Sequence, residues 1–329
     1  MKLLIALYHP FVLWNAPEWL APRLREEFPG VEVVQLPGPR YEGIESEITY
    51  ADAAIAWSIR PEQFAHARRL RWVHSPAAAV HQLMFPAMVE SDVVLTNART
   101  VHAPVVAEHI LALMFAMAKR LPQATRFQRD HVWGQQQVLK ESSGVREISG
   151  STVCLIGMGS IGREFAKRAK ALGVGVIAVR QHPERGTDGA HEVRGIDQLD
   201  SVLPLADFVV LAAPLTENTE HIINAARLAK MRPTAYLVNV GRGPLVDDAA
   251  LVDALQANRI AGAALDVFPV EPLPADSPYW DLPNVLITPH TAAVTGKLWE
   301  RHHALIADNL QRFLAGQPLL NVVDKKQGY

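Results

Sequence analysis

The chain has 329 residues, 49% of them hydrophobic and 20% charged, the balance of a soluble globular protein with room for two domains of roughly 100 to 200 residues each. Its 32 basic and 34 acidic side chains are well mixed, so neither nucleic acid nor an anionic membrane is implied as a partner. The single cysteine, Cys154, excludes an internal disulfide and fits a reducing, cytoplasmic setting.

The opening run, Leu3 to Tyr8, is too short for a signal sequence with its cleavage site and reads as a first strand. Further β-rich runs follow at Val31 to Leu36, Ala53 to Trp57, Trp72 to His74 and Val93 to Thr96, with helical or turn-rich segments between them. That rhythm predicts a parallel α/β sheet. A helix is expected from Pro104 to Arg120, with proline in the first turn, where a missing N–H costs little. Its apolar stretch, Val105 to Ala118, contains Glu108 and His109 and falls short of the roughly 20 residues that cross a bilayer. The segment from Gly134 to Gly150 is polar and without periodicity, and reads as a loop or arm.

A second α/β series begins at Thr152 to Ile156 and continues at Val174 to Val179, Phe208 to Ala212, Ala235 to Val240, Ala261 to Val267 and Val285 to Ile287. Beyond it, Leu298, Ile306, Leu310 and Phe313 carry the apolar spacing of a helix over about 295–314. This helix is placed to return to the first sheet. The expected fold is therefore α/β, with two Rossmann-like or flavodoxin-like parallel-sheet domains. One comprises residues 1–101 and 291–329, the other residues 102–290, and the active site is expected in the cleft between them, beyond the carboxyl ends of the strands.

Immediately after the Thr152–Ile156 run stands Gly157-Met158-Gly159-Ser160-Ile161-Gly162, the Gly-x-Gly-x-x-Gly pattern in the strand-to-helix context that dinucleotide binding requires. Gly157 permits a tight turn, Gly159 lets the backbone approach a pyrophosphate and Gly162 lets the helix pack on the strand. The helix N-terminus then offers N–H groups to the phosphates. The plainer alternative is a structural turn. The next strand ends at Arg180, eighteen residues past Gly162, where a free ribose 2′-hydroxyl would call for a carboxylate. Arg180, with Arg185 nearby, suits a 2′-phosphate instead, so NADP(H) is the expected cofactor and NAD(H) remains possible. Arg180 as a solvated strand-end charge is the competing reading.

Downstream lie Asn239-Val240-Gly241-Arg242-Gly243, then Asp266 and Glu271, then Thr288-Pro289-His290. With Val153 to Gly162, Pro214 to Thr219, Leu237 to Asp247, Gly262 to Pro274 and Pro283 to His290, the chain resembles the D-isomer-specific 2-hydroxyacid dehydrogenase family over nearly its whole length, and most closely its glyoxylate/hydroxypyruvate reductase-like members. The resemblance implies that residues 102–290 bind the dinucleotide and that residues 1–101 with 291–329 bind substrate. It implies a catalytic set of Arg242, Glu271 and His290. Arg242 would hold a 2-oxo carboxylate and polarise its carbonyl, His290 would act as general acid, and Glu271 would be the acidic partner of that histidine. A planar fork of donors suits the first role, and a neighbouring carboxylate favours the charged imidazolium needed for the second. Pro214, Val240, Asp266 and His290 join the glycine turn on the cofactor side, Asp266 near the nicotinamide end. Taken singly, each of these side chains has a duller reading as a structural or solvated group.

On the substrate side, Ser75 to Val80 matches a family loop whose backbone N–H groups hold a carboxylate, here through Ala78 and Ala79. The chain departs from the family in having alanine where glycine is usual, at Ala77 and Ala79. Alanine resists positive φ and adds bulk. Trp57 is a further candidate for the substrate side, or else a packing residue, and packing is the favoured reading of Trp280. His102, His109, His302 and His303 read as helix-packing or solvated residues, and no set of side chains has metal-ligand spacing.

The expected reaction is NADPH-dependent reduction of a small 2-oxo acid to the D-2-hydroxy acid. The rivals are a phosphite- or phosphoglycerate-type dehydrogenase and a nucleotide-sensing binding protein of the same fold. Glu271 weakens a formate version, since formate enzymes of this pattern carry glutamine there. The resemblance also implies a homodimer through the dinucleotide domain, with Pro104 to Arg120 and the following polar arm as contact elements.

Overall fold

The structure, a computed structural model, describes residues 1–38, 43–140, 145–326 and 328. The chain divides into two units, Met1–His102 with Val294–Tyr329, and Ala103–Ala293.

In the first unit five parallel strands, β1 (Lys2–Ala6), β2 (Glu32–Gln35), β3 (Ala53–Ala56), β4 (Trp72–Ser75) and β5 (Val94–Asn97), stand in the order β2-β1-β3-β4-β5. Successive side chains of a strand point to opposite faces, so each strand feeds two cores. Leu3, Ile5, Ile55 and Trp72 pack on one face with Trp299, Ile306 and Leu310 of the Leu298–Leu314 helix. Leu4, Ala54, Val73 and Leu95 fill the other. The helix takes its seat because its apolar residues recur every three to four positions along one stripe.

In the second unit seven parallel strands follow: β6 (Thr152–Ile156), β7 (Gly175–Arg180), β8 (Glu192–Gly195), β9 (Phe208–Leu211), β10 (Tyr236–Asn239), β11 (Gly262–Leu265) and β12 (Val285–Ile287). Their order is β12-β11-β10-β9-β6-β7-β8. The chain runs outward from β6 through β7 and β8, then returns to the opposite side of β6 at β9, which makes the β6/β9 junction the topological switch point where such sheets bind ligands. Val153 and Leu155 pack with the Ala103–Ala118 helix on one face, and Cys154 and Ile156 enter the core of the other.

Eleven of the twelve strands among the described residues fall on runs that the sequence predicts. The exception, β8, contains one apolar residue, Val193, and none of its four residues is buried, so no buried face imposes a pattern. The polar segment after the first long helix also differs from expectation. Gln135–Lys140 forms a short helix, preceded by the buried Gly134 against the Phe127 ring, and it opens on three exposed glutamines that give no apolar signal. Residues 141–144 of that segment lie outside the described residues.

Register aligns the carboxyl ends of five strands. Ile156, Leu211, Asn239, Leu265 and Ile287 are successive partners across β6, β9, β10, β11 and β12, and Val179 extends the row into β7. The glycine turn begins one residue past this row, and Arg180, Pro214, Arg242, Asp266 and His290 all follow within three residues of it.

The first unit buries imidazoles without charging them. His74 is fully buried, with Nδ1 2.9 Å from Thr96 Oγ1, and burial pushes its pKa down to about 3. Burial also lowers His302 and His102, which stand with ring centroids 5.6 Å apart. Below about pH 6.5 the unfolded chain protonates rings that the folded chain keeps neutral, so stability falls as pH drops from that value. Thermal midpoints of the intact protein should decline from pH 6.5 to 5, with His74 alone contributing a slope approaching about 1.4 kcal/mol per pH unit. His74→Gln should flatten that slope, and a variant as pH-sensitive as the parent would exclude this origin.

Candidate active site

The turn after β6 is built for close approach. Gly157 has φ 102°, and a Cβ there would lie 2.7 Å from the Ala213 backbone nitrogen; at Gly162 it would lie 2.4 Å from the Gly157 carbonyl oxygen. Only hydrogen fits at either position. Gly159, the N-cap of the Ser160–Ala171 helix, brings no side chain and has open space where a Cβ would stand. The residues therefore fit a pyrophosphate at the helix N-terminus. Met158 is buried in the core, Gly162 is buried, and Ile161 packs on the same core.

Arg180 is the last residue of β7, with its side chain largely buried, and its Nη1 donates to Asp188 Oδ2 at 3.0 Å. Arg185 is exposed in the turn that follows. Pro214 is exposed just past β9, and Val240 is buried just past β10.

Past β10, Asn239 is buried and pins the loop by accepting from Gly241 N at 3.0 Å and donating Nδ2 to Arg242 O at 2.9 Å. Arg242 is exposed, and its Nη1 donates to Gly241 O at 2.7 Å. At Gly243 a Cβ would lie 2.0 Å from the Phe268 carbonyl carbon, so the β10 and β11 loops touch backbone to backbone. That contact brings Arg242 beside the loop that carries Glu271.

Asp266 organises the end of β12. It is 1% exposed, its Oδ1 accepts from Thr288 Oγ1 at 2.5 Å and Thr291 N at 2.9 Å, and its Oδ2 accepts from Ala292 N at 3.0 Å. His109 Nε2 lies 3.1 Å from Thr288 Oγ1 and 3.6 Å from Asp266 Oδ1; burial lowers its pKa, while the carboxylate opposes that shift. The turn so held carries His290 at φ 52°, with its N–H directed to Asp266 O at 2.9 Å. His290 Nδ1 meets Glu271 Oε2 at 2.6 Å, and Glu271 Oε1 accepts from Phe268 N at 2.9 Å. A carboxylate only accepts, so Nδ1 carries the proton and Nε2 points outward from the pair.

Sequence reasoning named Asp266 but not its role as an internal hub. It read His109 as a helix-packing or solvated residue and passed over Asn239 as a support. The one signal for His109 is its place beside Glu108 in an otherwise apolar helix.

In the first unit the Ser75–Val80 loop leaves β4. Its conformation is pinned by Ala98 N donating to Ala77 O at 3.0 Å and by Asn97 Nδ2 donating to Ala78 O at 2.8 Å. Ala77, Ala78 and Ala79 all avoid positive φ, so this backbone suits alanine. Among the described residues, the amides of Ala78 and Ala79 meet no protein acceptor. Trp57 is half-buried and donates Nε1 to Trp14 O at 3.1 Å, within an aromatic group that includes His9 and Trp14. Trp280 donates Nε1 to Pro274 O at 2.8 Å. Among the described residues no group of three or more histidine, cysteine, aspartate or glutamate side chains is arranged to hold a metal ion.

A doubly wound sheet with a helix-start turn open to a pyrophosphate is the frame of a nicotinamide-dinucleotide oxidoreductase. Within that class the chain belongs to the D-isomer specific 2-hydroxyacid dehydrogenase family, whose NAD binding domain matches residues 111–292. It is 37% identical over 262 residues to glyoxylate/hydroxypyruvate reductase B of Pectobacterium carotovorum, covering 79% of this chain and 80% of that one. With D-3-phosphoglycerate dehydrogenase of Methanocaldococcus jannaschii it shares 33% identity over 305 residues, 92% of this chain; the match spans only 57% of that protein's length. The solved structure of an NADPH-dependent glyoxylate/hydroxypyruvate reductase from Sinorhizobium meliloti, in complex with NADP and sulfate, superposes with a TM-score of 0.81 at 31% identity, covering 100% of this chain and 99% of that one.

Removing the Asp266 carboxylate would leave buried amides and the Thr288 hydroxyl without acceptors. Asp266→Ala should lower the free energy of unfolding by about 3 kcal/mol. Urea titration measures this, and a loss below about 1 kcal/mol would show that the turn does not depend on the carboxylate.

Proposed function

We propose that the protein reduces a small 2-oxo acid of the glyoxylate or hydroxypyruvate type to the D-2-hydroxy acid, with NADPH as the favoured reductant. The observation that carries this reading is the His290–Glu271 pair, 2.6 Å apart, on a turn fixed by a buried carboxylate at the same sheet edge as Arg242. The glyoxylate/hydroxypyruvate reductases among its relatives support the substrate class.

A dinucleotide held by its pyrophosphate at the Gly157–Gly162 turn would supply the hydride from its nicotinamide. Arg242 holds the substrate carboxylate and draws electron density from the carbonyl through its planar donors. As general acid, His290 gives its Nε2 proton to the carbonyl oxygen, while Glu271 holds the ring in place through Nδ1. Asp266 acts through the turn that carries His290, at the nicotinamide end of the site. In the first unit, the Ala78 and Ala79 amides and Trp57 are assigned to substrate binding. Pro214 and Val240 flank the cofactor. This assignment gives residues 1–101 and 291–329 to substrate and 102–290 to the dinucleotide. Phosphoglycerate oxidation is the second reading, favoured by the similarity to the Methanocaldococcus protein.

The reading extends to assembly and location. The protein is proposed to be a cytoplasmic homodimer joined through its dinucleotide unit, where Leu121, Val132 and Trp133 are exposed, the last at 90%. Burying these side chains on association would favour such a dimer. No helix among the described residues is long and apolar enough to cross a membrane. Light scattering should give twice the mass of the 329-residue chain, and a monomer would remove the dimer from this reading.

Loss of NADPH absorbance with glyoxylate, hydroxypyruvate and pyruvate, beside NADP-linked oxidation of 3-phosphoglycerate and phosphite, tests the activity. Turnover should occur with at least one small oxoacid; inactivity across all three would overturn the assignment. His290→Ala should lower kcat by about 10²- to 10⁴-fold. Arg242→Ala should raise KM for the oxoacid and lower kcat, with kcat/KM reduced at least about 100-fold. Near-parental turnover by either variant would remove that side chain from the mechanism.

A further inference from the structure

We propose that Asp188 sets how strongly the cofactor site distinguishes a 2′-phosphate from a free 2′-hydroxyl, an inference that rests on the reading that the end of β7 faces the adenosine ribose. That strand ends in Arg180 and offers no carboxylate of its own. The loop beyond it returns one. Asp188 adopts φ 48° between Gly186 at φ 89° and Gly189 at φ 97°, and this sequence of left-handed residues turns the loop back. Its Oδ2 accepts from Arg180 Nη1 at 3.0 Å. The same oxygen lies 3.7 Å from Arg163 Nη1, and Arg163 Nε donates to Gly159 O at 3.4 Å. One carboxylate oxygen thus stands between the strand end and the phosphate turn.

The chemistry of the two ribose forms follows from this placement. A ribose diol donates, and Asp188 accepts, so the loop supplies the group that NAD(H) needs and the strand lacks. A 2′-phosphate brings its own negative charge and must compete with Asp188 for Arg180, although two arginines against one carboxylate leave a net positive site. The intact site therefore accepts both cofactors and favours NADPH only modestly. Replacing the carboxylate by an amide removes the competitor and leaves both guanidinium groups to the phosphate.

Titration calorimetry of the full protein with adenosine 2′,5′-bisphosphate and with AMP reads this directly, without turnover. The parental protein should prefer the bisphosphate by no more than about tenfold, and Asp188→Asn should increase that preference by about tenfold, with the kcat/KM ratio for NADPH over NADH following it. Asparagine tolerates the left-handed backbone, so the loop is preserved. Arg180→Ala should reduce the preference. A parental preference beyond about 100-fold overturns the proposal without any variant. If Arg180→Ala acts and Asp188→Asn does not, the role of Asp188 alone is overturned. If Arg180→Ala has no effect, the placement of the ribose fails and the proposal fails with it. None of these outcomes touches the assignment of His290 and Arg242.

Discussion

The buried carboxylate of Asp266 is the constraint on which the second unit's site depends. Buried charge is costly unless it is fully bonded, and here both oxygens are taken by groups of one short turn, two backbone amides and a threonine hydroxyl. The turn gains a single conformation in return. That conformation places His290 where Glu271 can reach it, and Glu271 is itself aligned by the Phe268 amide. The pair lies at the surface, but its geometry is set from the interior.

The rest of the site is positioned by the sheet. Parallel strands in register end together, so residues as far apart in sequence as Gly157 and His290 leave the same row of backbone partners. Where two loops must come closer than side chains permit, glycine stands: Gly162 against the glycine turn and Gly243 against the Phe268 carbonyl. Arg242 is exposed but not loose, since Asn239 ties its carbonyl and the adjacent amide from below.

Much of this was legible in the sequence, and the exceptions share a cause. Strands buried on both faces announce themselves as apolar runs, which is why the runs beginning near Leu3, Thr152 and Phe208 coincide with strands. The edge strand Glu192–Gly195 has no such face and stays silent. Motifs single out residues expected to meet a ligand, such as those of the glycine turn and His290. They say little about supports: His109 looks like helix packing, and Asp188 is one polar residue among several in a loop. Alanine at Ala77 and Ala79 raised the prospect of a strained loop, yet its backbone stays out of the left-handed region, a property that depends on bonds to Asn97 and Ala98 and so on a neighbouring strand end.

The left-handed backbone at His290 narrows what evolution can try there. Among residues with a side chain, those that enter this region readily are few, chiefly asparagine, aspartate and histidine itself. Branched or bulky replacements meet a conformational penalty before any question of proton transfer arises. Chirality thus restricts this position independently of any chemistry that the ring performs.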